Sequence, residues 1–268
     1  MTTSDQHASD SSLTTRPTHG DGHGDGPGDG PGDGPGDGPG DGPGAQPSLG
    51  STAGRPGGYR RHIAQTVQGL LGLYLLICLA ELALYLWSVT TLRGWAERPG
   101  TYDLGTAETL DGWTLAAAFT DLAMILLIGV SFIVWLYSTH RSDRMYRPAL
   151  RHRSGWAIGG WFVPVLNLWR PLQMVNDVRR GALGHDPATG SGLVATWWGV
   201  LLASSFASRA SLALMPAEDA AFVAAMDGLA DVAVADSVLA ATDALACVLA
   251  IAVVRHVSGL LATPAPAR

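Results

Sequence analysis

Four ionisable residues lie inside segments that are otherwise apolar, and they are the first candidates for chemistry in this sequence. Glu81, Asp121, Arg209 and Asp243 are each the sole charge of a long apolar run. A charge inside a membrane costs at least about 2.5 kcal/mol on insertion scales, so such residues are rare and often functional. This charge cluster predicts either a cation or proton site, or a hydrogen-bonded group that fixes the order of the helices.

The depths of the four charges place them in one layer. Counted from the outer helix ends at about 1.5 Å per residue, Glu81, Asp121, Arg209 and Asp243 lie roughly 15, 10, 8 and 9 Å deep. Because the four charges lie at similar depth, we expect Arg209 to pair with one or two of the acids. Three acids against one arginine leave an excess of negative charge, which predicts that at least one carboxyl is protonated.

The second candidate is a short apolar stretch, Trp156–Trp169, which has only 14 residues. A helix of that length reaches about 21 Å, less than the roughly 30 Å of a membrane core. We therefore predict a re-entrant or interfacial segment, acting as a ligand or ion site or as a wedge that locks helix packing. The motif residues are Trp156, Gly159, Gly160, Trp161, Phe162, Pro164, Asn167, Arg170 and Pro171.

Each residue type in this stretch has a physical consequence for the backbone. Gly159 and Gly160 permit close approach of another segment, and Pro164 interrupts a helix. Asn167 offers hydrogen bonds to freed carbonyls or to a ligand. Because non-helical backbone at membrane depth must be buried in protein or line a cavity, the stretch indicates a protected position.

The elements that position these residues are predicted to be membrane-spanning helices. The chain is 47% hydrophobic and only 15% charged, against about a quarter charged in soluble domains. We predict an all-α integral membrane bundle of about four spans, with the short segment between the second and third. The spans are Val67–Thr91, Thr114–Tyr137, Leu193–Leu214 and Ser237–Val254.

The N-terminal region has a different composition. Residues 24–43 are Gly-Asp-Gly-Pro repeats with no apolar residue to offset the entropy of ordering. We predict a disordered, low-complexity tail over 1–58, a transmembrane domain over 59–257 and a short C-terminal tail over 258–268. The tail holds eight Asp and two Arg, so it carries the whole net charge of −6.

Arginine placement predicts the orientation of the spans. With four spans and both termini cytoplasmic, twelve arginines lie inside and two outside, leaving aside the tail and Arg209. A five-span alternative, in which 156–178 crosses, would place the acid-rich 215–236 loop inside. We also expect Trp87, Trp95 and Trp113 at the outer lipid interface, and Trp135, Tyr137, Trp197 and Trp198 at the inner one.

The sequence S-G-W-A-I-G-G-W-F-V-P-V-L-N-L-W-R-P over 154–171 resembles the signature W-A-x-G-G-W-F-x-P-x-x-N-L-x-x-P. That signature is typical of a bacterial integral membrane family common in actinobacteria, domain-of-unknown-function family 4328. The aromatic helix end over 132–137 is similar too, although the Asn that usually follows is replaced in Ser138–Arg141. The resemblance covers residues 60–257 and implies an architecture but no activity.

No known catalytic constellation occurs in the sequence. It contains no Gly-x-Ser-x-Gly, paired zinc motif or Walker loop, and Cys78 and Cys247 are predicted to be buried small hydrophobes. We expect a non-enzymatic binding or scaffold protein of the plasma membrane, or alternatively a small transporter or channel component. The expected partners are the bilayer and a membrane protein or second copy, without nucleic acid, cofactor or metal.

The predicted topology has a direct test by cysteine labelling. Single cysteines introduced as Arg147→Cys and Asp227→Cys should react with a membrane-impermeant maleimide from opposite sides of the membrane. The parent protein, with its two buried cysteines, reports background labelling. Labelling of both positions from the same side contradicts the four-span arrangement.

Overall fold

The computed structural model describes residues 56–185, 187 and 190–262, and in these residues it contains six α-helices and no strand. The helices are α1 Pro56–Glu97, α2 Leu104–His140, α3 Trp156–Phe162, α4 Arg170–Leu183, α5 Gly192–Ser211 and α6 Phe222–Ala262. Residues 1–55 of the predicted N-terminal tail lie outside the described residues. Helix α1 begins at Pro56, which is still inside the predicted tail of 1–58. Likewise, α6 continues to Ala262, inside the predicted C-terminal tail.

In the part of the chain that the structure describes, three helices are long and apolar enough to cross a membrane: α1, α2 and α6. The four-span bundle is not confirmed. The predicted third span coincides with α5 and the 3₁₀ turn Leu212–Leu214 that follows it, but two tryptophans, several serines and Arg209 dilute the apolar content of α5. The helices are also longer than the predicted spans, since the 42 residues of α1 extend about 63 Å.

The connection between α1 and α2 is much shorter than the interval 92–113 that separates the first two predicted spans. A 3₁₀ turn at Pro99–Thr101 follows α1, and Asp103 caps α2 by accepting hydrogen bonds from the Thr106 backbone N–H and hydroxyl, both at 2.8 Å. These hydrogen bonds lower the pKa of the Asp103 carboxyl. A strong cap lets the helix begin well before the apolar segment does.

The core forms where α1 packs against α6, which is the largest helix–helix contact of the described residues. On α1, Val67, Leu71, Tyr74 and Cys78 recur at helical spacing and are buried. They face a stripe of small and β-branched residues on α6: Ala244, Cys247, Ala250, Val253, Val254 and Val257. The prediction that Cys78 and Cys247 are buried is confirmed, and both are free thiols.

Five aromatic rings join α2, α3 and α5. The Phe132 ring centroid lies 5.2 Å from Trp135, 6.0 Å from Trp161 and 5.4 Å from Trp197, and Trp198 lies 5.8 Å from Trp161. Trp135, Trp197 and Trp198 are buried in protein. These side chains therefore contact other rings rather than lipid, and their predicted level at the inner interface stays a prediction.

The short segment after α2 folds back to where it started. After α3, the backbone is extended at Val163, forms a 3₁₀ turn at Leu166–Leu168 and enters α4. The Tyr146 N–H, in the loop after α2, donates to the Gly181 carbonyl near the end of α4 at 2.9 Å. The left-handed Gly184, with φ of 76°, then ends α4, and its N–H donates to the Arg180 carbonyl.

At Gly160, α3 and the start of α4 approach each other closely. A Cβ added at Gly160 would lie 2.9 Å from Cγ and 3.1 Å from Cβ of Arg170. At the neighbouring Gly159, the nearest atom would be a Trp156 ring carbon at 3.9 Å. Close packing thus requires glycine at position 160 but not at 159.

This difference predicts opposite effects for two adjacent substitutions. Gly160→Ala should destabilise the fold by about 1–3 kcal/mol, because the methyl group overlaps Arg170 near its backbone. Gly159→Ala, the matched control, should be neutral or stabilising by up to about 1 kcal/mol, since alanine favours helix. Thermal unfolding in detergent, followed by tryptophan fluorescence, measures both. Equal melting temperatures would contradict the close contact.

Candidate functional site

The structure brings together three of the four predicted intramembrane charges. Glu81 on α1, Asp121 on α2 and Asp243 on α6 interact electrostatically with one another, since α1 contacts both α2 and α6. Glu81 and Asp121 lie close enough for one carboxyl, when protonated, to donate a hydrogen bond to the other. We call these three residues the carboxyl cluster.

The cluster is protected from solvent but is not fully satisfied by protein groups. Glu81 is only 7% exposed, whereas Asp121 and Asp243 are half-buried. Among the described residues, Glu81 Oε1 and Asp121 Oδ1 have no hydrogen-bond partner. A buried oxygen without a partner costs about 1–3 kcal/mol, so this arrangement leaves capacity for a proton or a ligand.

Other polar groups surround the cluster. The Ser204 hydroxyl on α5 donates a hydrogen bond to Asp243 Oδ1. The Tyr74 hydroxyl lies beside Asp121, and the Cys78 and Cys247 thiols lie side by side nearby. All four long helices therefore contribute to this layer.

Arg209 does not join the carboxyl cluster, so its predicted pairing with the acids is wrong. Its side chain is exposed, and Nη1 donates to the Ser205 carbonyl of its own helix at 3.0 Å. Ser204 faces Asp243, and five residues further along, at about 100° per residue, Arg209 is rotated about 140° away from it. The predicted pairing rested on the rise per residue alone and did not consider which side of α5 Arg209 lies on.

A groove between α1 and α2 leads to Glu81. Its volume is about 450 Å³, and alanines on both helices keep it open. Trp87 and Trp113, both exposed, lie toward the end where α1 and α2 connect. The lining residues are Ile77, Ala80, Glu81, Ala83, Leu84, Trp87, Trp113, Ala116, Ala117 and Thr120.

The predicted Trp156–Pro171 motif is a packing element at a different level of the bundle. The Arg170 guanidinium stacks over the Trp156 ring at 4.7 Å and donates to Gln173 Oε1 at 2.9 Å. Pro171 is fully buried, and Trp161 joins the aromatic rings on α2 and α5. Phe132, which Trp161 contacts, is eleven positions beyond Asp121 on α2, about 16 Å along the helix. The motif and the carboxyl cluster are therefore separate.

The motif has an exposed apolar side and three unsatisfied polar atoms. Phe162 is 74% exposed, and Pro164 is exposed beside it. Among the described residues, Trp161 Nε1, Asn167 Oδ1 and Arg170 Nε are buried without a hydrogen-bond partner. The Asn167 backbone N–H is satisfied by the Val163 carbonyl at 2.8 Å.

A buried ion network on α4 was missed by the sequence reasoning. Asp177 is fully buried, and its Oδ2 accepts from the His152 backbone N–H at 2.9 Å and lies 2.7 Å from His152 Nδ1. Arg180 forms an ion pair with the other oxygen, Oδ1. We call these three residues the Asp177 network. Asp177 lies on the same face as Met174 and Val178, a signal that its carboxylate is buried.

One of the comparisons with known proteins identifies a family. The model of the family described as Domain of unknown function (DUF4328) matches residues 98–259. The match covers α2 through most of α6. It leaves out α1, which the sequence resemblance over 60–257 included. No curated protein and no solved structure matches this chain.

The Asp177 network should be necessary for the α4 segment to fold. Asp177→Ala removes the fully buried carboxylate that accepts from the His152 N–H and pairs with Arg180, and breaking a buried ion pair is expected to cost about 3–5 kcal/mol. Asp143→Ala is the control, because its side chain is 91% exposed and such acids change stability by only about 0.5 kcal/mol. Melting temperatures of the purified variants test this, and similar values for the two would contradict a structural role for the network.

Proposed function

The chain belongs to the DUF4328 family, and from that premise we propose that it is a multi-pass plasma membrane protein that acts by binding rather than by catalysis. The site that we assign to binding is the carboxyl cluster, and its ligand is a proton or a small cation. The observation that carries this proposal is Glu81, a buried carboxyl with one oxygen that no described group satisfies.

The proposed topology has four spans, with α5 as the third and both termini in the cytoplasm. Twenty residues of α5 reach about 30 Å, the thickness of a membrane core. Two contacts support a crossing. Near the start of α5, Trp198 Nε1 donates to the Leu168 carbonyl, and at its end the Ser211 hydroxyl donates to Asp236 Oδ1 at 3.2 Å. The return of Gly181 to Tyr146 favours a re-entrant or interfacial segment over a fifth span.

A proton fits the cluster better than a divalent metal ion does. Among the described residues, no group of three or more His, Cys, Asp or Glu side chains is placed to hold one metal ion. Two carboxyls in an apolar setting, however, can share a proton and so avoid two adjacent buried charges. A monovalent cation, which needs less charge, is the other occupant that this geometry supports.

A small transporter or channel component is the second candidate. The groove between α1 and α2 favours it, because the groove reaches Glu81 from the side of Trp87 and Trp113. In that function the carboxyl cluster would be loaded and emptied through the groove, whereas a binding or scaffold protein would move no ion.

The surfaces of α2 support the bilayer, a membrane protein or a second copy as partners. Leu115, Phe119, Leu122, Ile125 and Leu126 are all exposed on this helix. Such an apolar surface is suited to lipid or to another membrane helix.

Carbodiimide labelling tests the binding proposal, because dicyclohexylcarbodiimide reacts with protonated carboxyls in apolar surroundings. In liposomes, mass spectrometry should find the label on the carboxyl cluster of the parent protein. Glu81→Gln should remove most of it, and Glu97→Gln, which changes an exposed acid of the same helix, should leave it unchanged. If the label is absent from the cluster, or is lost equally in both variants, the proposal is wrong.

Two further measurements on the same liposomes separate the ligands and the two functions. Protection from labelling by Na⁺ at constant pH indicates a cation, and lack of protection indicates a proton. A pH-sensitive dye inside the vesicles reports proton flux. Flux that is present in the parent protein and lost in Glu81→Gln supports a transporter, and no flux in any variant supports a binding or scaffold protein.

A further inference from the structure

A second cavity lies at the end of the bundle where α1 begins and where α2 and α6 end. Its volume is about 770 Å³. Four of its lining residues are arginines, from α1, the loop after α2, and α6: Arg60, Arg61, Arg144 and Arg255. Among the described residues that line it, none is an aspartate or glutamate. We call it the arginine cavity, and it does not depend on the carboxyl cluster.

Two of the arginines are held in place by the protein. Arg60 donates a hydrogen bond to the buried Ser142 hydroxyl, and Arg144 Nη1 donates to the Leu261 carbonyl on α6 at 2.7 Å. A guanidinium has five N–H donors, so each retains donors for another group. Arg61 and Arg255 are exposed at the rim. The site thus combines fixed and adaptable donors.

Among the described residues, little negative charge compensates the arginines of the cavity. Arg60 pairs with Asp143 at 3.8 Å, and the Asp143 side chain is 91% exposed. An exposed pair at this distance contributes at most about 1 kcal/mol. Because a cleft lined by charges of one sign concentrates its field, this cavity attracts anions.

The floor of the cavity is less polar than its rim. Trp135, which is 2% exposed, and Ala64 and Leu261 line it together with Thr139 and Ser142. The cavity also adjoins the ends of three helices that are apolar enough to span a membrane. A ligand that fits must therefore present an anionic head to the arginines and an apolar portion to the floor.

We propose that the arginine cavity binds the phosphate group of an anionic glycerophospholipid. Basic pockets between membrane helices are suited to such head groups, and arginine binds phosphate through paired N–H donors. The same donors would also recognise free phosphate, and the experiment below separates the two sources.

Arginines on the cytoplasmic side are common for reasons of topology alone, but that signal needs only positive charge near a helix end. Arg147, Arg151 and Arg153 lie in the loop after α2 and outside the cavity. Their positive charge near the helix end is sufficient for that topological signal. The cavity instead gathers arginines from sequence positions nearly 200 apart, Arg60 and Arg255. A topological signal requires no such convergence.

Native mass spectrometry of the full chain in detergent tests the proposal, with phosphatidylglycerol and phosphatidylcholine as probes. The parent protein should bind phosphatidylglycerol preferentially. The double variant Arg61→Gln/Arg255→Gln should weaken that binding about tenfold, and it preserves the two arginines that bond to the protein. The control Arg93→Gln/Arg98→Gln removes the same charge from exposed positions at the opposite ends of the helices and should bind as the parent does.

The possible outcomes are distinct. Equal weakening by both double variants indicates non-specific charge attraction and overturns the proposal, as does equal binding of the two lipids by the parent protein. Inorganic phosphate is the third probe. If it displaces phosphatidylglycerol at millimolar concentration and loses this effect in Arg61→Gln/Arg255→Gln, the site recognises phosphate itself and the lipid assignment is wrong. If it fails to displace the lipid, the lipid assignment is supported.

Discussion

The first and last helices of the described structure, α1 and α6, share its largest contact, and both candidate sites lie along that contact. Small residues on α6, such as Ala244, Cys247 and Ala250, allow the helices to approach closely. Because the contact joins residues nearly 200 positions apart, it fixes the rotation of both helices at once. At one level it brings Glu81 within electrostatic range of Asp243, and at the end of the bundle it brings Arg60 and Arg255 into one cavity. A change in this packing would therefore move both sites together.

The two sites have opposite charge and different environments, which gives each its own chemistry. The carboxyl cluster lies deep between helices, where an acid is cheaper to bury when it shares a proton or holds a cation. The arginine cavity opens at the bundle end, where guanidinium groups keep their hydration in part and can receive an anion. Between them lie the buried apolar side chains of Val67 and Leu71. Because the residues of the two sites do not overlap, substitutions in one can be tested with the other intact.

The apolar runs predicted the long helices and the common level of Glu81, Asp121 and Asp243, because hydropathy and helical rise are local properties. Three features of the structure depend on packing between segments and were not predicted from local sequence. The rotation of Arg209 away from Asp243 depends on how α5 packs on α6. The ion network of His152, Asp177 and Arg180 depends on the return of α4 to the loop after α2. The burial of Trp197 depends on the rings that cover it. The predicted spans are shorter than the helices for another reason. The ends of α1 and α2 are polar but still helical, and the cap at Asp103 starts α2 before its apolar residues begin.

The boundary of the family match gives α1 a particular importance. The match covers Asp121, Asp243, Arg144 and Arg255, whereas Glu81, Arg60 and Arg61 lie outside it. Each candidate site thus takes part of its charge from the matched region and part from α1. Without α1, Asp121 would lose the carboxyl with which it can share a proton, and the arginine cavity would lose one wall. The proposed functional unit of this protein therefore includes α1, since the matched region alone contains two of the three carboxyls and two of the four arginines.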